Sequence, residues 1–426
     1  KAANTVISKK YNFTVDSILQ FKPSTWHMIS LANLDSKFEK SNDDIFFAWN
    51  DTAALGDFWQ YQELRYMDQK ISSQGYWYQS LNEKHLPLQV TTSTCVEPET
   101  KVSWELISGQ TGWNLIANPY HWPISLNVAE SDDSTAFWKW NDSLGAYDRV
   151  YHLEPHGAAW VNTTENKKWE TTADPFFDSE KTVVAKKHIH QARVLHPNDW
   201  KIQLKLKNTL GKEDAHNFIG VSAKPSSIEE PPQGIGSFIN LSILNNDDKL
   251  AENILSSESS VWSWDILLTS SGNKDASLQL EGINALTAMG YRVAINIDGS
   301  LMELKEGTSI PVEIKENGSK ATITVMPAQD FNLTQKINQL TYYKQGNTWK
   351  IAFDAGLALD RSKAVVSLHN IKGKRITSTV AEVNLGSNEL LLNGADFAGV
   401  VIMNITIYSE RGTILYQHNQ KLLDKR

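Results

Sequence analysis

The chain is 426 residues long and carries 41 Lys and Arg against 49 Asp and Glu, a formal charge of −8. That mild acidity lacks the basic stripes needed to grip nucleic acid or an anionic membrane non-specifically. With 41% apolar and 21% charged residues the composition is that of folded domains, about three of them by length.

No apolar run approaches the roughly 18 residues of a membrane span. Lys1-Ala2-Ala3-Asn4 has no signal-peptide core, so the expectation is either a removed signal or a piece of something longer. Cys95 is the single cysteine, which excludes an intrachain disulfide and any cysteine-based zinc site. It reads as a buried structural thiol.

Eleven of the fifteen tryptophans fall within residues 1–170, and they belong to an internal repeat. Ser24-Thr25-Trp26-His27-Met28-Ile29 matches Thr111-Gly112-Trp113-Asn114-Leu115-Ile116. Phe46-Phe47-Ala48-Trp49-Asn50-Asp51 matches Phe137-Trp138-Lys139-Trp140-Asn141-Asp142, and Gly75-Tyr76-Trp77-Tyr78 matches Ala158-Ala159-Trp160-Val161. The offsets are 87, 91 and 83, as two similar modules with variable loops would give. The modules span 1–92 and 93–185. Each matched segment alternates as a strand does, and the Asn-Asp dipeptides mark turns. The repeated indoles are expected to fill the interior of each module.

Beyond 190 the pattern turns to short strands with Gly and Asn-Gly punctuation, an antiparallel sandwich over 190–345. Ile228–Gly234, with Glu229-Glu230-Pro231-Pro232, reads as an irregular loop. Lys249–Leu255 and Ile283–Gly290 read as short helices. Residues 346–426 carry about six further strands, an Ig-sized sandwich. The predicted fold class is therefore all-β: tandem Trp-rich modules followed by two antiparallel β-sandwiches.

Gly112-Trp113-Asn114-Leu115-Ile116-Ala117-Asn118-Pro119-Tyr120 resembles a "GWNLIGNPY" segment of large secreted and surface proteins of Bacteroidetes and Fibrobacter, many of them type IX secretion substrates. The Trp-Asn-Asp turn and Gly157–Val161 belong to the same recurring module, and the final unit is similar to the C-terminal Ig-like modules of such proteins. The resemblance implies a secreted or cell-surface multidomain β-protein whose catalytic part, if any, lies upstream of Lys1.

Sites are sparse. No Gly-x-Ser-x-Gly elbow, His-Glu-x-x-His, phosphate loop or dinucleotide fingerprint occurs, so no catalytic residue is assigned. His188 and His190 share one strand face but lack partners at ligand spacing, and Lys186-Lys187 precede them. Asp132-Asp133, followed by Ser134, is the best place for a structural Ca2+, with a plain surface turn as the alternative. No other cofactor is expected. Trp59, Tyr61, Tyr120 and Trp122 have no match in the other module, so they serve either as stacking platforms for a glycan or as packing between modules.

The leading expectation is a non-catalytic portion of a surface protein acting in presentation, adhesion or assembly. The alternatives are a carbohydrate-binding appendage of a polysaccharide-degrading enzyme and a hydrolase with an unrecognised site. Expected partners are cell-surface components or glycans and upstream domains of the same polypeptide, with no nucleic acid and no membrane span.

Overall fold

The computed structural model describes residues 9–10, 18–32, 40–52, 60–65, 71, 73–87, 95–96, 101–126, 135–172, 199–246, 248–298, 300–329, 331, 337–346, 348–393, 399–409, 412 and 414–424. The protein is all-β: of the described residues, 64% lie in strands and 3% in helix. It divides into two compact units: Lys1–Ser259, Trp264–Ala285 and Glu306–Lys320 in the first, and Ser260–Ser263, Leu286–Lys305 and Ala321–Arg426 in the second. No described helix is long and apolar enough to cross a membrane.

The first repeat of unit one holds β1 (Lys9–Lys10), β2 (Ile18–Phe21), β3 (His27–Ser30), β4 (Asp44–Trp49), β5 (Tyr61–Glu63), β6 (Gly75–Ser80) and β7 (Lys84–Pro87). The second holds β8 (Cys95–Val96), β9 (Lys101–Leu106), β10 (Trp113–Ala117), β11 (Ile124–Ser125), β12 (Phe137–Asn141), β13 (Ala146–Val150), β14 (His152–Leu153), β15 (Ala158–Asn162) and β16 (Lys167–Thr172). Their four-stranded sheets run in the orders β3-β6-β4-β5 and β10-β15-β12-β13, so the same strand order is built twice. Register repeats as well. Trp77 lies opposite Met28 and Phe47, while Trp160 lies opposite Leu115 and Trp138.

Because strand side chains alternate between faces, each sheet has two apolar sides. One side is the module's own interior. In the first module it is built from Ile29, Leu31, Phe46, Tyr76, Tyr78 and Leu86. In the second it is built from Trp104, Ile116, Trp122, Phe137, Leu153 and Val161, among others. The other side carries most of the matched tryptophans, and it is where the sequence expectation fails. Trp77, Trp113, Trp138, Trp140 and Trp160 join Met28, Trp26 and Trp49 in one cluster drawn from both modules. These indoles cement module to module instead of filling each interior. Tyr76-Trp77-Tyr78 shows the division: the tyrosines point into their own module and Trp77 into the seam.

The contacts across that seam come in matched pairs, as a two-fold relation between like surfaces requires. Isolated bridges join Ile29 to Gly157 and Gln74 to Ile116. Ser30 N–H donates to His156 C=O at 2.8 Å, and Ala117 N–H donates to Ser73 C=O at 3.1 Å. Trp49 meets Trp160 edge-on at 4.9 Å, and Trp140 meets Trp77 at 5.5 Å. Each such aromatic pair contributes about 0.5–1.5 kcal/mol beyond its burial.

The rest of unit one is a sheet of β17 (Trp200–Asn208), β18 (Glu213–Ser222), β19 (Ser226–Glu229), β20 (Ile239–Asn245), β21 (Asp248–Ser256), most of β22 (Trp262–Ser270), β23 (Asp275–Glu281) and, after the first half of the short helix α1 (Ile283–Ala288), β26 (Ser309–Glu313). β18 and β21 run parallel, and every other pairing in this set is antiparallel. The sequence reading of Lys249–Leu255 as a helix is corrected here. The segment lies inside β21, hydrogen-bonded on both edges, with Leu250, Ala251 and Glu252 all buried. Leu, Ala and Glu are good helix formers, but pairing to neighbours on each side outweighs a few tenths of a kcal/mol of propensity.

Unit two contains β24 (Tyr291–Ile297), β25 (Ser300–Leu304) and most of β27 (Ser319–Pro327), paired in the order β25-β24-β27. Its sandwich comprises β28 (Ile337–Gln345), β29 (Thr348–Ala355), β30 (Ser362–Asn370), β31 (Arg375–Val383), β32 (Gly386–Asn393), β33 (Gly399–Tyr408) and β34 (Ile414–Asp424). Sheets β28-β29-β32 and β31-β30-β33-β34 close on Trp349, Ile351, Phe353, Val366, Leu368, Met403 and Ile405. Strand β29 alternates strictly, with its four buried residues facing the core. Ala294, Met326 and Leu357 form a smaller cluster with Val261, Leu301, Phe331 and Leu385.

Candidate functional site

The richest chemistry lies along one edge of the seam between the modules. The Trp-Asn-Asp turn sets it up twice. Trp49 pairs across β4–β5 with Tyr61, and Trp140 pairs across β12–β13 with Tyr147. Ring geometry is matched: 5.0 Å and 71° for Trp49–Tyr61, 5.1 Å and 71° for Trp140–Tyr147. Tyr61 therefore has a counterpart, which corrects the sequence reading that left it unmatched. Tyr61 follows its tryptophan by 12 residues and Tyr147 by 7, and that loop difference hid the equivalence.

The loop after β19 lies along this edge. Tyr147 donates its hydroxyl to Pro232 C=O at 2.8 Å, and Tyr61 donates to Gln233 C=O at 3.0 Å. Trp160 Nε1 donates to the Tyr147 hydroxyl at 3.2 Å. Gly234 lies so close to Trp140 that a Cβ there would stand 2.4 Å from the indole. Asn162 Nδ2 holds the Glu229 carboxylate at 2.7 Å. Burial raises the pKa of both phenols, with Tyr61 adding to the shift at Tyr147, so both remain hydroxyl donors at any physiological pH.

At the start of the loop is an acid pair, Asp214 buried and Glu230 partly buried. Asp214, on β18, accepts from Leu241 N–H at 2.7 Å and Asn217 Nδ2 at 2.8 Å. Glu230 accepts from Asn240 Nδ2 at 2.6 Å through Oε1, while its buried Oε2 has no hydrogen-bond partner. Burial raises both carboxyls, and at Glu230 the neighbouring Asp214 adds to the effect. Next to them His216 Nε2 meets Asp148 at 3.1 Å. Burial opposes ionisation of Asp148, but the hydrogen bonds from His216 and Asn141 outweigh it and hold the carboxyl below its usual range.

The folded acid pair keeps protons that the free acids, at about 3.9 and 4.3, have lost. Its contribution to stability is therefore complete at low pH and declines as pH rises through the raised folded values. Glu230→Gln should remove much of that decline. Relative to wild type it should stabilise unit one by about 1–3 kcal/mol at pH 8, because the amide is neutral at every pH and each unit by which a carboxyl is raised corresponds to about 1.4 kcal/mol. The gain should vanish near pH 4. Urea denaturation at the two pH values checks this, and equal curves at pH 8 would contradict it.

The other sequence candidates fare differently. Trp122 is 2% exposed inside the second module, so its indole offers no open face to a sugar. Tyr120 stacks on it at 4.7 Å, half-buried. Trp59, Asp132, Asp133, His188 and His190 lie outside the described residues. Among the described residues no group of three or more His, Cys, Asp or Glu could hold a metal ion. His121 and His156 meet at 5.1 Å, each with a buried Nδ1 that lacks a partner. Burial lowers both, His156 to about 4 with His121 adding to its shift.

Asn118, of the Asn-Pro motif, is fully buried. Its amide donates to the carbonyls of Trp122, Leu153 and Glu154 and accepts from Tyr120 N–H, locking the loop that follows β10. Sequence reasoning missed Tyr147, Asp214, Glu230 and the engagement of the Pro-Pro loop. The only local signal was the Glu-Pro-Pro triplet, where a charged residue precedes a segment that cannot join a sheet.

No protein-family model matches the chain, and no curated protein matches it significantly. Solved structures align only in part. An endonuclease/exonuclease/phosphatase from Beutenbergia cavernae aligns at 9% identity and TM-score 0.16, over 31% of this chain and 35% of that one. A glycosyl hydrolase family 2 member from Bacteroides cellulosilyticus aligns at 5% identity and TM-score 0.17, over 35% and 28%. A β-glucuronidase from Parabacteroides merdae aligns at 9% identity and TM-score 0.16, over 38% and 27%. The chain thus spans about a third of each neighbour's length, and alignments this weak assign neither fold family nor activity.

Proposed function

We propose that the chain is a non-catalytic scaffold portion of a secreted or cell-surface bacterial protein, serving presentation, adhesion or assembly there. One observation supports a scaffold above a sugar binder: the aromatic faces of the two modules are spent on each other and on the Pro-Pro loop. Trp77 and Trp160 are 0% exposed, so the sheet faces that could have presented rings to a glycan are closed. Both Trp-Asn-Asp turns act as clamps on elements further along the chain. Asp51 binds the segment that leads into β10, through Thr111 and Gly112. In the second module the turn's carbonyls accept from elements further on: Glu213 N–H donates to Leu144 C=O and Ile239 N–H donates to Gly145 C=O, both at 3.0 Å. Such chained docking suits a part whose job is to hold its neighbours at fixed spacing.

Antibody raised against the purified chain should label intact, unpermeabilised source cells, and the chain should bind nothing on a broad glycan array. Labelling only after permeabilisation would overturn the location. Saturable glycan binding would turn the reading to a carbohydrate-binding appendage, and turnover on a hydrolase substrate panel would turn it to an enzyme.

A further inference from the structure

We infer that the edge of the module seam is a binding site for a proline-rich extended peptide, and that Glu230–Gly236 is its resident ligand in cis. The inference is independent of the scaffold reading and of where the protein resides. It begins with the ligand's own chemistry. In Glu230-Pro231-Pro232 each residue before a proline is driven to an extended backbone, and each proline fixes φ and removes an N–H. A polyproline-type segment makes no internal hydrogen bonds, so its carbonyls need donors from elsewhere.

The seam supplies them in order. Two tyrosines related by the internal repeat, one from each module, donate to the consecutive carbonyls of Pro232 and Gln233. Their rings abut Trp49 and Trp140, giving the aromatic walls that proline-rich segments pack between. After the prolines the ligand must be thin. Gly234 lies against Trp140 and Gly236 against Trp26, where a Cβ would stand 2.6 Å from the indole. Ile235, between the two glycines, packs into the shared cluster. The ligand class is thus Pro-Pro-x-Gly-apolar-Gly, read by hydroxyls through its backbone and by indoles through the absence of side chains. Neither module has the site alone, because each gives one tyrosine.

The test uses the full chain with its own loop displaced. Gly234→Leu drives a side chain into Trp140 and expels the loop while leaving every groove residue unchanged. The probe is the blocked heptapeptide Glu-Pro-Pro-Gln-Gly-Ile-Gly, titrated calorimetrically. The displaced chain should bind it saturably. Wild type should bind at least 100-fold more weakly, because its tethered loop competes at millimolar effective concentration. Adding Tyr61→Phe and Tyr147→Phe to the displaced chain should weaken binding at least tenfold, as should alanine in place of both prolines of the peptide.

A folded displaced chain that ignores the peptide would overturn the inference. So would binding indifferent to the two tyrosines. Should Gly234→Leu fail to fold, limited proteolysis of the otherwise intact chain decides. The Tyr61→Phe, Tyr147→Phe double variant should be cleaved by thermolysin at Gly234–Ile235 at least tenfold faster while Leu241–Leu244 stays uncut. Unchanged cleavage would sink the site.

Discussion

Trp160→Ala should cost unit one about 3–5 kcal/mol, the range for emptying a large aromatic from a packed core. Trp160 is fully buried at the centre of the two-module cluster. Its ring meets Trp49, Tyr61 and Trp113, and its Nε1 positions the Tyr147 hydroxyl. The loss therefore falls on three things together: the second module, its junction with the first, and the seat of the Pro-Pro loop. Native-state hydrogen exchange is the measurement of choice because it reads each region separately. Protection should fall across His27–Ser30, Gly75–Ser80 and Ala158–Asn162, and remain unchanged in Ser362–Asn370 of the second unit. A loss confined to the second module, or below about 1 kcal/mol, would show that the modules do not depend on each other's indoles.

Asp51→Ala should be nearly as damaging, at about 3 kcal/mol, through a different term. The Asp51 side chain is 6% exposed and serves the other module. Its carboxylate accepts from Thr111 N–H at 3.0 Å, from Gly112 N–H at 2.8 Å and from the Thr111 hydroxyl. Alanine leaves two backbone donors facing a shielded gap, and charge-assisted bonds of this kind contribute about 1.5–3 kcal/mol each. Asp51→Asn, which keeps one acceptor oxygen, should recover part of the loss. The control is Asp142→Ala at the matching turn. Its side chain is not buried, and its turn works through main-chain carbonyls, so the change should stay within about 0.5–1 kcal/mol. Thermal unfolding of the three variants under one condition checks the order. Equal effects at Asp51 and Asp142 would contradict it.

The contrast between those two aspartates shows how far sequence reading reaches. Both sit in the same Trp-Asn-Asp signature, and both are turn residues by local chemistry. One became a buried clamp because the chain entering β10 passes beside it, and nothing in its neighbours along the chain announces that. Tyr61 and Tyr147 make the same point from the other side. Their equivalence is a matter of strand register opposite Trp49 and Trp140, which unequal loops conceal from alignment. Glu230 stood in a stretch that read only as an irregular loop. Its burial comes from the loop being drawn against Tyr61 and Tyr147, and a loop's docking is not encoded in its own periodicity.

The amino-acid order by itself determined the all-β class, the duplication and the faces of most strands, because a period of two is a local property and a tryptophan-marked repeat survives loop variation. Only the tertiary structure decided what covers those faces. Two sheets with apolar residues on both sides can each fill an interior and still have an aromatic surface left over. Periodicity says which side chains travel together, and is silent about whether water, a ligand or a neighbouring sheet meets them. Here the neighbour is the other copy of the same sheet, so the indoles that looked like two cores became one joint.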